Sequence, residues 1–146
     1  MRDLPRQLTA DQLAELFEGR TRFVERLAAL DDPLGRAREV AAGLPEEEQK
    51  EMLDAHPAIG ARGTSERSRR EQGTDDDPAV LAELAELNAE YERRFGFRFV
   101  VFVNDRPRRE IVPVLRDRLE RTREQELATG VDELVQIAID RWQRTS

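Results

Sequence analysis

The chain has no cysteine, and it has one histidine, one tryptophan, one tyrosine and two methionines among 146 residues. The missing thiols exclude a thiolate nucleophile and any zinc or iron–sulfur centre built on sulfur. A single imidazole without thiols leaves too few donors for the usual transition-metal ligand sets, so no metal is expected. No apolar run reaches the ~20 residues of a membrane-spanning helix. The opening Met1-Arg2-Asp3-Leu4-Pro5 lacks the apolar centre of a signal peptide, so no membrane association and a cytoplasmic location are expected. A basic excess is missing as well: 31 acidic against 24 basic residues give a net charge of −7. That is the wrong sign for a dedicated nucleic-acid binder, which needs a clear positive excess on at least one face.

What is present is charge and helical periodicity. Charged residues make up 38% of the chain, with arginine far ahead of lysine, a composition that suits helices with ion-paired exposed faces. At this length residues 1–146 are expected to form a single domain burying about 68–70% of the unfolded chain's surface. Thr9-Ala10-Asp11-Gln12 has the form of a capping box, and Leu13, Leu16 and Phe17 share one side of the helix it opens. Phe23, Val24, Leu27 and Leu30 continue after a break at Gly19 and Arg20. A further helix spans about Pro33 to Ala42 and ends at Gly43. Another opens at Pro45 with acids facing the positive end of its dipole, and Pro57 stops it.

Beyond Pro57 the stretch from Gly60 to Asp77 loses its apolar content, with Glu66 to Gln72 read as a possible short polar helix. So long a polar stretch inside a domain is more often functional than a mere connector. Pro78 then opens the strongest helix, in which Val80, Leu84, Leu87, Tyr91 and Phe95 recur at spacings of four, three, four and four. Gly96 ends it. Residues 97–103, Phe-Arg-Phe-Val-Val-Phe-Val, are the one β-like run; without a partner strand they are expected to be an extended connector crossing the core. A helix from about Arg109 to Leu119 should be delayed or kinked by Pro113. The last helix, about Thr122 to Trp142, carries Leu127, Val131, Leu134 and Ala138, and the same spacing continued lands on Arg141. At 100° per residue Arg141 lies within about 40° of Leu127 around the axis. Such an arginine either snorkels out from the helix end or is held at the core's edge to receive an anion. The expected fold is therefore all-α, with about seven or eight helices and one extended segment near 97–103.

His56 stands where an acidic helix meets a Pro-x-x-Gly turn, and it is the one side chain that exchanges protons near neutral pH at its ordinary pKa. In an arbitrary sequence a lone histidine is more often a turn-stabilising or partly buried group than a catalyst. Here other motifs follow it in order: Ser68-Arg69-Arg70-Glu71-Gln72, Leu87-Asn88-x-x-Tyr91, Phe95-Gly96-Phe97-x-Phe99-Val100, and Ile137-Ala138-x-x-Arg141. In this order and at these separations the chain, from about Phe17 to Trp142, resembles the 2-oxo-4-hydroxy-4-carboxy-5-ureidoimidazoline (OHCU) decarboxylases of urate breakdown. The resemblance implies an all-α fold, a homodimer, no cofactor or metal, and conversion of a small-molecule substrate, OHCU, to (S)-allantoin and carbon dioxide. It places the catalytic histidine at His56, the catalytic carboxylate at Glu71 and a substrate-binding arginine at Arg141. Pro57, Ser68, Glu71, Gln72 and the backbone of Phe99, Val100, Val101, Phe102 and Val103 would line the pocket.

The chain departs from the family's usual pattern at Ala58, across Gly73 to Asp77, and at Asn104-Asp105-Arg106. These positions flank the implied site without removing a catalytic group, and they bear on the pocket wall and so on specificity. Three rival readings are weaker. A helical scaffold would make Arg69, Arg70 and Asp75 to Asp77 a solvated face and His56 incidental. A related enzyme would act on another ureido or imidazoline compound. A DNA-binding regulator would use Arg106 to Arg109, against the acidic total and without a recognisable helix-turn-helix.

Overall fold

Helix starts are written in the side chains. In a computed structural model describing residues 3–57 and 77–144, the Thr9 hydroxyl accepts the Gln12 N–H at 3.1 Å, and the Gln12 side chain accepts the Thr9 N–H at 2.9 Å. This reciprocal box opens α1 (Ala10–Phe17). Thr21 caps α2 (Arg22–Ala28) through the Val24 N–H. Prolines preset the first turn of α3 (Pro33–Ala42) and of α5 (Pro78–Phe95), and three glutamates fill the first turn of α4 (Glu46–Ala55). Gly96 ends α5 at φ 81°, in the left-handed region that a side chain disfavours. The chain continues through α6 (Arg108–Leu119) and α7 (Arg123–Arg144). Among the described residues this gives seven helices and no strand, in agreement with the all-α expectation. Residues 60–76, including the possible helix at 66–72, lie outside the described residues.

Two local expectations need adjusting. Pro113 does not delay its helix, which leaves the kink as the remaining expectation: α6 begins at Arg108 and carries the proline inside it. Val80 is only partly buried, whereas Leu84, Leu87, Tyr91 and Phe95 are fully covered. The turn at Asn104 and Asp105 takes two successive left-handed residues, φ 51° and 63°. Asn and Asp tolerate that conformation better than other side chains, which is how this pair makes the turn without glycine.

Helix α7 packs against α1, α3 and α4, while α5 pairs with α6 and α2 bridges α1, α3 and α4. At Gly130 a Cβ would sit 3.2–3.3 Å from the Leu53 methyls, so α4 and α7 approach closely just ahead of His56. Residues 97–103 run extended between α5 and α6, as expected, with no strand partner among the described residues. They are held by rings: Tyr91 packs on Phe95, Phe97 and Phe99 at centroid distances of 4.7, 6.0 and 5.2 Å. A buried charge network holds them as well. Fully buried Glu126 accepts the Tyr91 hydroxyl at 2.7 Å, Arg118 Nε at 2.7 Å and Arg121 Nη1 at 2.9 Å. Arg118 in turn donates to the Val100 carbonyl at 2.7 Å and lies 4.6 Å from the centre of the Phe99 ring. Burial and the bond to Glu126 push the Tyr91 phenol well above its ordinary range, so it stays a donor. No helix among the described residues is long and apolar enough to cross a membrane.

Candidate active site

The site grows out of the end of α4. Pro57 bars its predecessor from the helical region, and His56 takes φ −80° and ψ 136° while its N–H still closes on the Leu53 carbonyl at 3.1 Å. The chain therefore leaves the helix with the imidazole turned inward, 7% exposed. Arg98 of the extended segment clamps this exit, donating to the His56 carbonyl at 2.6 Å and to the Asp54 carbonyl at 3.2 Å. The Arg98 backbone N–H meets the Asp54 carboxylate at 3.0 Å, and its Nε lies 3.5 Å from Glu92, an ion-pair contact. Helix α4 and the 97–103 segment are thus locked together at the histidine.

His56 Nδ1 is buried without a hydrogen-bond partner among the described residues, an arrangement that stabilises only an uncharged ring. Burial, then the positive charges of Arg141 and Arg98, push its pKa from the ordinary 6.5 to about 4, while Glu18 pulls the other way. At neutral pH the ring is neutral and available to take a proton. The consequence for stability follows from linkage. Between pH 6.5 and 4 the unfolded chain holds this proton and the folded chain does not. The contribution is therefore complete above the unfolded pKa and is lost as pH falls toward the folded one. Denaturant melts should show His56→Gln losing about 3 kcal/mol less stability than the parent over that window. Equal pH slopes for the two proteins would show that the ring is not held neutral.

Arg141 is 2% exposed and does not snorkel. Its Nη1 donates to the Leu16 carbonyl at 2.8 Å and its Nη2 lies 3.1 Å from the Glu18 carboxylate. The guanidinium is thus buried and paired with an anion of the chain itself. Its charge acts on His56, so the structure brings the ends of α1, α4 and α7 to one neighbourhood. Pro57 adjoins it and is half-buried. Within 99–103, the carbonyls of Val100, Phe102 and Val103 are taken by Arg118 and Arg106, and the Phe102 N–H by Glu133. The Phe99 ring belongs to the aromatic core. Ser68, Glu71 and Gln72 lie outside the described residues. Among the described residues no cluster of His, Asp and Glu could hold a metal ion. A groove of about 410 Å³ between α3, α4 and α7 is lined by neither His56 nor Arg141.

Glu18 and Arg98 are the groups that the sequence reading missed. The one signal for Glu18 is an acid at a helix C-terminus, where the dipole disfavours negative charge. Arg98 carries none, since alternation in an extended run points it only to the side opposite Phe97 and Phe99.

The chain is 30% identical over 143 residues to the uric acid degradation bifunctional protein PucL of Bacillus subtilis (strain 168), covering 90% of this chain and 29% of that one. It is 34% identical over 98 residues to the 2-oxo-4-hydroxy-4-carboxy-5-ureidoimidazoline decarboxylase of Halalkalicoccus jeotgali, covering 64% of this chain and 56% of that one. It therefore spans less than two thirds of the length of either relative. A crystal structure of OHCU decarboxylase in the presence of (S)-allantoin superposes with a TM-score of 0.77 at 23% identity, over 91% of this chain and 96% of that one, and so shares the fold. Residues 2–143 match the family described as OHCU decarboxylase, and the chain belongs to that family.

Proposed function

We propose that the chain is a cofactor-independent carboxy-lyase converting OHCU to (S)-allantoin and carbon dioxide in urate breakdown, as a cytoplasmic homodimer. The observation that carries this reading is a buried neutral imidazole, its Nδ1 without a hydrogen-bond partner among the described residues, beside a buried guanidinium, set in a chain of this family.

The chemistry needs little beyond that. As the carbon–carboxylate bond breaks, its electron pair passes into the conjugated ureido-imidazoline ring, so no external electron sink is required. What remains for the protein is to hold an anion, manage protons on the hydroxyl and ring, and protonate one face. His56 and Glu71 are the proposed proton carriers. An anionic substrate beside His56 favours its protonated form and moves its pKa back toward neutrality, which matches the base to its task. Arg141 is the proposed partner of the substrate's carboxylate or urea oxygens. Pro57, Ser68, Gln72 and the backbone of Phe99 to Val103 are proposed to line the pocket.

The test is to generate OHCU in place from urate and follow the optical activity of the allantoin, because spontaneous decay gives a racemate. Faster formation of the S enantiomer is expected; racemic product at the spontaneous rate would overturn the reading. Arg141→Gln should raise KM about 10- to 100-fold, the value of a charge-assisted contact, with a smaller change in kcat. Steady-state kinetics showing an unchanged KM would remove Arg141 from the binding role.

A further inference from the structure

Glu18 is in the wrong place for local reasons. It caps α1 at φ 62°, a left-handed conformation uncommon for a residue that is not Gly, Asn or Asp. Gly19, the residue suited to that conformation, follows directly. Its negative charge also stands at the helix end that repels anions. Both penalties mark a residue held by something else, and the partner is Arg141, 3.1 Å away with its side chain 1% exposed. The Leu16 carbonyl, freed by the end of the same helix, takes a second edge of that guanidinium.

We propose that Glu18 is a positioning residue of this site, its carboxylate fixing the Arg141 guanidinium in the orientation that receives the substrate's anionic group. The proposal rests on the functional reading above. Glu18 acts through Arg141 and also tempers it: at the imidazole the charges of Arg141 and Arg98 favour the neutral ring, and Glu18 offsets them. Among the described residues, the charged groups that act on His56 are Arg141 from α7, Glu18 from the end of α1 and Arg98 from the extended segment. Arg98 is itself tied to Asp54 of α4 and Glu92 of α5.

The experiment compares Glu18→Gln, alone and with Arg141→Gln, and the matched pair Glu18→Asp and Glu18→Asn. The last two tolerate the left-handed backbone and differ only in charge. Steady-state kinetics on OHCU read KM and kcat, and proton NMR of the chain's one imidazole reads the titration of His56 without any substrate. Glu18→Gln should raise KM tenfold or more with a smaller change in kcat, and move the His56 midpoint to lower pH. Glu18→Asp should recover part of the KM that Glu18→Asn loses. In the Arg141→Gln background, Glu18→Gln should add less than twofold, because the group it works through has gone. An unchanged KM in Glu18→Gln, an additive loss in the double variant, or equal impairment of the Asp and Asn forms would overturn the proposal. Should Glu18→Gln fail to fold, the Asp and Asn pair decides. A parent protein that makes no (S)-allantoin counts against the functional reading; an unmoved His56 titration in Glu18→Gln counts against Glu18 itself.

Discussion

His56→Ala is expected to remain folded and to lose about 100- to 10,000-fold in stereospecific turnover, the usual value of a positioned proton carrier. Polarimetry of the allantoin formed from OHCU, set beside circular dichroism of the helices, reads both halves. The fold should survive because the ring adds little to packing that its neighbours do not. Leu53 is buried against α7 at Gly130, and Arg98 clamps α4 through backbone carbonyls at 54 and 56 that any residue supplies. The side chain removed also carries a buried nitrogen that has no partner among the described residues, so its deletion relieves a polar group of its desolvation cost. Wild-type production of the S enantiomer by this variant would defeat the assignment.

Glu126→Ala is expected to be the most destabilising single change outside the apolar core. The carboxylate receives Tyr91, Arg118 and Arg121 together, and removing it leaves the Arg118 guanidinium buried without its counter-charge. Breaking a buried pair from one side costs about 3–5 kcal/mol, which a urea melt resolves readily. The loss should reach function as well, because Arg118 holds the Val100 carbonyl and faces the Phe99 ring. A shift below about 1 kcal/mol would mean that the network is solvated and that the rings alone position the segment.

Local rules made the helices legible. A capping box at Thr9, prolines at 33 and 78, a proline after His56 and a glycine after Phe95 each act within one turn, and each marks the boundary it predicts. The inward stripe of α7 likewise led to Arg141, now found buried. The same signal was present twice more and went unread. Arg118 continues the inward spacing of Ile111 and Leu115, and Glu126 precedes Gly130 and Leu134 by whole steps of four along the buried side of α7. A charged residue in register with a buried stripe marks a paired charge, and its partner lies on another helix where no periodicity can show it. Glu18 and Arg98 were illegible for the same reason: their roles depend on how the ends of three helices and an extended segment meet. The Phe95-Gly96-Phe97-x-Phe99 run proves to be chiefly a core motif, its rings packed tilted or edge-on against Tyr91, and it serves the site by fixing the segment that carries Arg98.

Because the chain has one histidine, its imidazole gives one unambiguous NMR signal, and that signal reports directly whether the ligand sits at His56. On adding (S)-allantoin the resonance should shift in a saturable way, respond weakly or not at all to the R enantiomer at the same concentration, and lose its response in Arg141→Gln. A resonance unmoved by saturating (S)-allantoin, or moved equally by both enantiomers, would contradict a stereospecific site built around His56 and Arg141.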